Sequence, residues 1–521
     1  MTDAATARGG TLADPDGPRR ILIVGWDGAT WALLDPLLAA GRLPNLARLI
    51  STGVRTPLRS TLPPVTPPAW TAMATGLLPG RSGVLGFRRI DPRTVGGYDP
   101  RMASSADLRG RTLFEHAASH AESVALVGWP MTWPPFELPG GVLVAGWPRP
   151  RSDVAPTWPA ALGRTLGQWG RGDPAPRWRE PTLEEEIASA QWWDRRHAEI
   201  ACRWLRERDD GVTAVVFPGT DHLSHRLWGD PRLAEHFERV DQHLGEVRDA
   251  AGEGTATLLV SDHGFGPAPR RRVHVDRALA ERGLLRWADP ARRTPTARLA
   301  AAVRRGLPKR SWHEVRDRLP EAVRAWAAER AGPGSGIDPD GTQVSSVEVY
   351  VGLVGLCVHE PVDLVGLLEG LRAEPWVGRI DVREDLFDGR YLDRIPEVLL
   401  ELADDCCLGL GWGPGPICDD VPAEDLRRWP ATHRRAGILV ASGPGIRSPS
   451  VAVDVGVEDV GPTWLALAGL PIPDDLDGRA ANELIVASPR YESVERAEPA
   501  ATGRPPGPDL ESSLRRLGYL R

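Results

Sequence analysis

Short apolar runs recur along the chain, and each is followed by polar residues and then by a segment with helical spacing. The runs lie at 21–26, 124–129, 212–217, 257–261 and 437–441. Runs of this length that are rich in Val, Ile and Leu are typical of strands buried on both faces of a parallel sheet. Their alternation with helical segments predicts an α/β fold, with a doubly wound, mostly parallel sheet and helices on both faces.

The same pattern predicts how the chain is divided. A polar start, a break in the strand and helix alternation after residue 290, and a Pro- and Glu-rich end mark the boundaries. The predicted parts are a disordered tail at 1–19, an α/β core at 20–290, an inserted cap or lid subdomain at 291–404, the rest of the core at 405–485, and a tail with a short C-terminal helix at 486–521.

The predicted insertion differs in character from the core. Residues 291–330 are rich in Arg and Ala with helical spacing, and 347–358 is predicted to be a strand. An insertion between two parts of a core often forms a lid or part of a substrate pocket. The basic helical segment could instead lie on a membrane or an acidic polymer, or form an ordinary solvated face.

Composition narrows the function classes. The 521 residues carry a net charge of −7, with 41% hydrophobic and 26% charged residues, which is typical of a globular protein and argues against nucleic acid as the main partner. The five cysteines are scattered without C-x-x-C spacing, so neither a disulfide framework nor a thiolate zinc site is indicated. With no apolar leader and no long apolar stretch, we expect a cytoplasmic protein without a stable membrane anchor. The oligomeric state is not predicted.

Carboxylates and histidines stand after several of the apolar runs. The carboxyl ends of parallel strands meet at one edge of a sheet, where ligands bind, so we expect these side chains to converge. Each residue taken alone could have a structural role instead of binding metal, because a strand-end Asp often caps a turn and a lone His is often a structural hydrogen-bonding group. Together they indicate a metal centre. The candidate ligands are Asp27, Asp221, His225, Asp262, His263 and His433.

Two pairs of these candidates lie close together in the sequence, and their spacing decides whether both members of a pair can bind one ion. Asp221 and His225 are one helical turn apart, which places both on one helix face and suits chelation of one ion. Asp262 and His263 are adjacent, and adjacent residues of a strand point to opposite faces. Both can therefore serve one site only if the strand ends before them.

A candidate nucleophile lies in the segment Pro-Pro-Val-Thr-Pro-Pro-Ala-Trp. Thr66 directly precedes two prolines and a predicted helix, so its ordinary role would be that of an N-cap. The same geometry places its hydroxyl at the positive end of the helix dipole, where an alkoxide and a phosphate oxygen are both stabilised.

These residues and their surroundings resemble the alkaline phosphatase superfamily, in particular its type I phosphodiesterase/nucleotide pyrophosphatase branch. The resemblance covers roughly residues 20–290 and 395–480. The phrases that carry it are Val-Gly-Trp-Asp-Gly-Ala-Thr-Trp, Gly-Arg-Leu-Pro-Asn-Leu-Ala-Arg-Leu, Pro-Pro-Val-Thr-Pro-Pro-Ala-Trp-Thr, Val-Ser-Asp-His-Gly-Phe-Gly, and the late Asp-Val-Gly-Pro-Thr-Trp-Leu-Ala-Leu-Ala-Gly-Leu-Pro-Ile-Pro-Asp-Asp-Leu-Asp-Gly-Arg.

The resemblance implies two divalent ions, usually zinc, with manganese as the alternative, and a small phosphorylated substrate. It further implies in-line attack by Thr66 on phosphorus and a phospho-threonine intermediate. The implied ligands are Asp27, Thr66, Asp262 and His263 for the first ion, and Asp221, His225 and His433 for the second. The function expected from the resemblance is hydrolysis of a phosphodiester or pyrophosphate bond.

One stretch departs from the family pattern. After the nucleophile helix, nucleotide pyrophosphatases have His-Gly-x-x-x-Asn, whose Asn helps to hold a phosphate oxygen, whereas this chain has Ser82 and Phe87 at the His and Asn positions. Arg81, Arg88 or Arg89 could supply the missing donor, which would favour a phosphomonoesterase or phosphomutase. A third possibility is a catalytically silent member that binds an anion or a protein.

Overall fold

We describe the protein from a computed structural model. The structure describes residues 20–108, 112–120, 122–149, 152, 154–167, 172–176, 181–288, 336–409, 413–447 and 453–494. The predicted tail at 1–19 and the helical segment predicted at 291–330 lie outside these residues. Of the predicted final part at 486–521 only 486–494 are described, so the predicted C-terminal helix also lies outside them.

The described chain divides into two compact units. Among the described residues, the first unit lies within 20–78, 104–265 and 433–494, and the second within 79–103 and 266–432. These bounds differ from the predicted core and insertion, since the second unit also takes in residues that directly follow the Thr66 helix. The predicted limits of the insertion, 291–404, stay a prediction.

The first unit is built on a sheet that has nine strands within the described residues. Five neighbouring strands of this sheet run parallel, and two antiparallel neighbours flank them. The strands, in spatial order, are β20 (Val455–Gly456), β2 (Gly53–Arg59), β19 (Ala436–Ser442), β9 (Thr255–Val260), β1 (Arg20–Trp26), β8 (Gly211–Phe217), β5 (Val124–Val127), β6 (Val142–Val144) and β7 (Thr157–Trp158).

Both faces of β1 are covered, as the continuous apolar run predicts. Leu22, Val24 and Trp26 pack into one core cluster, where Trp26 contacts the ring of Phe237 edge-on at 6.0 Å. Gly25 faces the other way, and a Cβ on it would lie 2.4 Å from the Trp70 ring. Helices therefore flank both sides of the sheet, and the predicted doubly wound, mostly parallel fold is confirmed.

The helices of the first unit account for most of its mass around the sheet. They are α1 (Trp31–Ala39), α2 (Pro44–Ser51), α3 (Thr66–Thr75), α5 (Leu113–Ser119), α6 (Ala160–Thr165), α7 (Leu183–Glu207), α8 (Gly219–Leu227), α9 (Pro231–Ala251) and α14 (Val457–Leu467), with a short 3-10 turn at Ser105–Asp107 and the small strand pair β21 (Ile472–Pro473) and β22 (Tyr491–Glu492). Among the described residues, no helix is both long and apolar enough to cross a bilayer.

The second unit contains smaller sheets and short helices. Residues 347–358, predicted as one strand, form parts of two antiparallel strands, because the chain turns back at 351–352. The elements are α4 (Pro79–Ser82), β3 (Arg88–Ile90), β4 (Tyr98–Met102), β11 (Arg271–Val273), α10 (Val275–Glu281), β12 (Val344–Tyr350), β13 (Leu353–Val358), α11 (Leu364–Arg372), β14 (Val377–Val382), α12 (Arg383–Leu386), the 3-10 turn Leu392–Arg394, β15 (Val398–Leu402), β16 (Cys406–Leu408), β17 (Cys418–Asp420) and α13 (Ala423–Arg428). Two short paired strands, β10 (Gly264–Pro267) and β18 (Ala431–Arg434), span the boundaries of the units, and Phe265 and His433 belong to the first unit.

Candidate metal centre

The carboxyl ends of three neighbouring strands meet at one point of the main sheet. β1 ends at Trp26, so Asp27 is the first residue beyond it, and β8 ends at Phe217, just before α8. β9 ends at Val260, two residues before Asp262. Because the strand has already ended, Asp262 and His263 are not constrained to opposite faces. The sheet edge thus gathers the side chains that the sequence predicted to converge.

Two close approaches fix the loop around Asp27. The backbone N–H of Gly28 donates to Asp262 Oδ1 at 3.2 Å, and a Cβ on Gly28 would lie 2.5 Å from the Phe265 ring. Gly28 also has a φ of +70°, a conformation that residues with a Cβ rarely adopt. The Thr220 hydroxyl donates to the Asp27 carbonyl at 2.6 Å. Asp27 is therefore tied to both neighbouring strand ends.

Thr66 is the first residue of α3 rather than its N-cap, because the helix begins one residue earlier than predicted and Val65 occupies the cap position. Pro67 and Pro68 follow in the first turn, where a missing N–H costs little. One turn later, the Trp70 indole N–H donates to Asp27 Oδ2 at 3.2 Å. The position of the fully buried Thr66 is thus set by a helix that is itself anchored to the site.

Helix α8 carries Asp221 and His225 on one face, with 3.7 Å between Asp221 Oδ1 and His225 Nε2. Its first turn is held by a residue of α7, since the Gly219 N–H donates to Asp194 Oδ1 at 3.0 Å. The other oxygen of Asp194 lies 3.2 Å from His236 Nε2. Asp194 and His236 are both buried, so this pair positions the helix from behind.

His433 reaches the site from the short strand β18. Its Nε2 lies 2.9 Å from His225 Nε2 and 3.2 Å from Asp221 Oδ1. Its Nδ1 is 3.0 Å from the carbonyl oxygen of Pro64, which orients the ring with Nε2 toward the cluster. Its ring also stacks on that of His263, with 3.6 Å between centroids.

His263 links the two predicted halves of the site. Its Nε2 lies 3.2 Å from Asp262 Oδ2, 3.6 Å from Asp27 Oδ1 and 3.9 Å from Asp221 Oδ1. Two sets of three ligand atoms lie close enough to hold an ion, and His263 belongs to both: Asp27, Asp262 and His263, and Asp221, His263 and His433. The structure brings six predicted ligands into one buried cluster. Thr66 lies between Pro64, which contacts His433, and Trp70, which contacts Asp27.

Several buried atoms of this cluster have no hydrogen-bond partner among the described residues. They include Asp27 Oδ1, Asp262 Oδ2 and His263 Nε2, and the buried Thr66 Oγ1 at the start of α3 has none either. Buried polar atoms are nearly always paired, so orphaned atoms gathered in one cluster indicate a missing partner.

The electrostatics of the cluster favour a cation. Burial raises the pKa of Asp262 to about 8, and the charge of Asp221 adds to the effect. Burial likewise raises the pKa of Asp27, together with the nearby charges of Asp262 and Asp221. Burial also acts to raise the pKa of Asp221, but His225, His433 and His263 outweigh it, so that pKa is lowered. Burial and His433 lower the pKa of His263, which keeps the imidazole neutral, the form that ligates metals.

Three supporting residues escaped the sequence prediction. Trp70 and Asp194 hold Asp27 and α8 in place, and Phe265 packs edge-on against the rings of His225 and His433, at 4.7 and 4.9 Å. Trp70 and Phe265 lie inside motifs quoted for the family resemblance, which is the only sequence signal they had. Asp194 lies within a helical segment far from any strand end, so no local pattern distinguished it.

The residues that depart from the family pattern lie in the second unit. Phe87 is buried, and its carbonyl accepts a hydrogen bond from the N–H of Ala103. Arg88 and Arg89 belong to β3 and line a cavity together with Tyr391 and Arg394. Their proposed role as phosphate donors stays a prediction.

The fold matches solved structures of the alkaline phosphatase superfamily. Phosphonoacetate hydrolase from Sinorhizobium meliloti 1021, in complex with phosphonoacetate, is 17% identical with a TM-score of 0.52, covering 85% of this chain and 94% of that one. Murine ectonucleotide pyrophosphatase/phosphodiesterase 5 is 12% identical with a TM-score of 0.49, covering 89% and 99%. No curated protein sequence matches this chain. The similarity to phosphonoacetate hydrolase shows a shared fold.

The sequence defines the group within it. The family model for type I phosphodiesterase/nucleotide pyrophosphatase matches residues 21–339, which is more than half of the chain. The chain belongs to the type I phosphodiesterase/nucleotide pyrophosphatase family, and it is a phosphoester hydrolase.

Proposed function

We propose that the protein hydrolyses a phosphodiester or pyrophosphate bond at two divalent ions, with Thr66 as the nucleophile. Asp27, Thr66, Asp262 and His263 would hold the first ion, and Asp221, His225 and His433 the second. The observation that carries this proposal is the set of buried ligand atoms without a hydrogen-bond partner among the described residues: Asp27 Oδ1, Asp262 Oδ2 and His263 Nε2 in the cluster, and Thr66 Oγ1 at the start of α3. A catalytically silent anion binder would not require them.

The donor set suits zinc, with manganese as the alternative. Carboxylate, imidazole and hydroxyl donors at four-coordinate sites are typical of zinc, whereas calcium takes six to eight oxygens. The nitrogen donors are His225, His263 and His433, and a site without sulfur ligands also accepts manganese. Bound ions would lower the pKa of the Thr66 hydroxyl and offset negative charge on the phosphoryl group and on the departing oxygen.

The chain's own residues supply the positioning. The Thr66 oxygen attacks phosphorus in line with the ester oxygen that leaves, forming a phospho-threonine and releasing an alcohol or a phosphate product. Water then attacks the same phosphorus, which restores the Thr66 hydroxyl and releases the second product. The first turn of α3 favours the negative charge that develops on both oxygens. Trp70 and Asp194 hold the nucleophile helix and α8 in register.

A phosphomonoesterase or phosphomutase is the second candidate, because Phe87 replaces the amide that family members use on a phosphate oxygen. Without that donor, and with arginines at positions 88 and 89, a more highly charged group could be preferred. A monoester carries one more ionisable oxygen than a diester, and arginine can hold it with paired hydrogen bonds.

A comparison of two chromogenic esters tests the proposal. Metal-depleted protein is reloaded with zinc or manganese and assayed with bis-p-nitrophenyl phosphate and p-nitrophenyl phosphate. We expect hydrolysis only in the loaded protein, with the higher kcat/KM on the diester. A higher kcat/KM on the monoester would replace the diesterase proposal by the monoesterase one. Equal activity in the presence of a chelator would rule out the metal centre.

The cytoplasmic location expected from the sequence also remains a proposal. Its support is that all five cysteines are free in the structure, as a reducing compartment would keep them.

A further inference from the structure

We propose that the first unit carries a third metal site, formed by His116, His120 and Glu492, which would take a zinc ion or a similar divalent transition metal. One ligand atom of each residue lies within 4.8 Å of the other two. The three side chains are partly buried and remain reachable from solvent. We call them the His116 site below.

The site lies at the opposite edge of the main sheet from the candidate catalytic centre. Helix α5 ends at Ser119 and leads into β5, so its last turn lies near the amino end of that parallel strand. The catalytic candidates lie beyond the carboxyl ends of the neighbouring strands. With about 3.3 Å of rise per residue, the four residues of β5 alone separate the two edges by roughly 13 Å.

The distances within the His116 site match those around a tetrahedral ion. Glu492 Oε1 lies 3.5 Å from His116 Nε2 and 3.3 Å from His120 Nε2. Ligand atoms about 2.1 Å from a tetrahedral zinc ion are about 3.4 Å from one another. The two imidazoles are one helical turn apart, with 4.7 Å between ring centroids. This is the spacing at which two helical histidines chelate one ion.

The hydrogen bonds of His120 direct its other ring nitrogen at Glu492. His120 Nδ1 donates to the His116 carbonyl at 3.0 Å, and the Ser119 hydroxyl donates to that same oxygen at 2.6 Å. Because Nδ1 is occupied in this way, Nε2 is the nitrogen that faces the Glu492 carboxylate, 3.3 Å from its Oε1. The imidazole is therefore oriented as a ligand whose second nitrogen is held by a backbone carbonyl, as is usual for metal-binding histidines.

Backbone pairing between two short strands holds Glu492 in place. Strand β22 pairs with β21 so that Glu492 is opposite Pro473, and the Asp474 N–H donates to the Glu492 carbonyl at 2.9 Å. The same segment supplies the Pro471 carbonyl, 2.9 Å from His116 Nε2. When His116 ligates an ion, its proton moves to Nδ1 and this hydrogen bond is lost. The ion would then clip the segment around 491–492 to the end of α5.

The test counts zinc in untagged protein. Wild type and the variants His120→Gln and Glu492→Gln are stripped with chelator, equilibrated in the same zinc buffer, and analysed by elemental mass spectrometry. We expect each variant to bind about one zinc fewer than wild type, because each loses one of three ligands. His243→Gln is the matched control, since His243 also pairs with a glutamate, Glu246, but lies on α9 outside the proposed site, and it should match wild type.

Thermal unfolding supplies a second readout. Zinc should raise the Tm of wild type more than that of either variant, whereas the stripped proteins should unfold at similar temperatures, which shows that the variants fold. Ester hydrolysis should be unchanged in both variants, because no catalytic ligand is altered. Equal zinc content in wild type and the variants would overturn the proposal. A loss in His120→Gln without a loss in Glu492→Gln would overturn the three-ligand site.

Discussion

Thr66 has two separable roles, as the first residue of a buried helix and as the proposed nucleophile. The whole residue is buried, so its methyl group and backbone contribute to packing, while its Oγ1 has no hydrogen-bond partner among the described residues. Only the second role requires the oxygen. Substitutions that keep the helix but change this atom therefore separate structure from chemistry.

We expect Thr66→Ala to lower kcat by at least about a thousand-fold, because the reacting oxygen is lost. The measurement is steady-state hydrolysis of the preferred ester by zinc-loaded protein. Thr71→Ala makes the same change in the same buried helix, and its Oγ1 also lacks a partner among the described residues. The control should fold as well as Thr66→Ala and retain activity. Near wild-type turnover in Thr66→Ala would exclude the covalent route.

The ligands of the two ions can be told apart by metal counting. Asp262→Asn removes a ligand assigned to the first ion and His433→Gln one assigned to the second, so each should lower the zinc content of the catalytic centre by about one equivalent. Elemental analysis of stripped and reloaded protein measures this. Loss of both ions in each variant would indicate instead that His263 couples the two positions, as its distances allow.

The strand-end rule explains why the sequence alone predicted that these candidate ligands converge. Asp27 and Asp262 follow buried apolar runs, and Asp221 and His225 share a helical face, so each had a local signal. His433 had the weakest signal, because its place beside His225 depends on a strand from a distant part of the chain. Trp70 and Asp194 had no chemical signal, because their role consists of tertiary hydrogen bonds.

Helix α8, which carries Asp221 and His225, is held in position by a contact with the neighbouring helix α7. Its first turn is tied to α7 through Asp194, whose carboxylate accepts the Gly219 N–H and lies beside His236. Supporting residues of this kind orient metal ligands and commonly change metal affinity when they are mutated.

We predict that Asp194→Asn lowers the free energy of unfolding by about 1–3 kcal/mol, because a buried N–H and a buried imidazole lose a charged partner. Metal affinity at Asp221 and His225 should fall by roughly 10–100-fold, since the helix that carries them is less well held. Urea denaturation and competition with a chelating dye measure the two effects. Asp209→Asn, which alters an exposed carboxylate, should change neither. Unchanged metal affinity in Asp194→Asn would show that α8 does not depend on this contact.

One of the motifs quoted for the family resemblance, Gly-Arg-Leu-Pro-Asn-Leu, has a structural role. The backbone N–H groups of Asn45 and Leu46, at the start of α2, donate to the carboxylate of Asp241 on α9 at 3.0 and 2.7 Å. The motif Gly-Arg-Leu-Pro-Asn-Leu therefore fixes one helix against another. The late motif is similar, because Asp459 accepts the N–H groups of Gly456 and Arg479. Sequence patterns alone did not separate these motifs from the ligand motifs, since both join distant elements.

For the whole molecule, the sequence predicted the α/β architecture. Alternating buried runs specify a parallel sheet and its functional edge, because both follow from local periodicity and the right-handed crossover rule. The division into two compact units could not be predicted, because residues 79–103 join the second unit through contacts with a segment some three hundred residues later. The turn that splits 347–358 into two strands was missed although Gly352 lies in it, because the β-branched and apolar residues on either side continue the pattern of a single strand.

Stability of the whole protein should depend on its metals. Two ions bound only by the folded state add RT ln(1 + [L]/Kd) for each site, about 2.7 kcal/mol at a hundredfold excess over Kd. We therefore expect chelation to lower the Tm by several degrees, and zinc to restore it. Differential scanning calorimetry of stripped and reloaded protein measures the change. An identical Tm in both states would mean that the folded protein accommodates its buried carboxylates equally well without a bound cation.

The proposed function requires seven side chains from distant parts of the chain to hold two divalent cations. Anomalous diffraction at the zinc edge from crystals of the zinc-loaded protein shows directly whether they do. Apart from the peak expected at the His116 site, we predict two peaks about 4 Å apart, one beside Asp27, Thr66, Asp262 and His263 and the other beside Asp221, His225 and His433. A fully active, zinc-loaded crystal with no peak among these seven residues would contradict the two-metal mechanism.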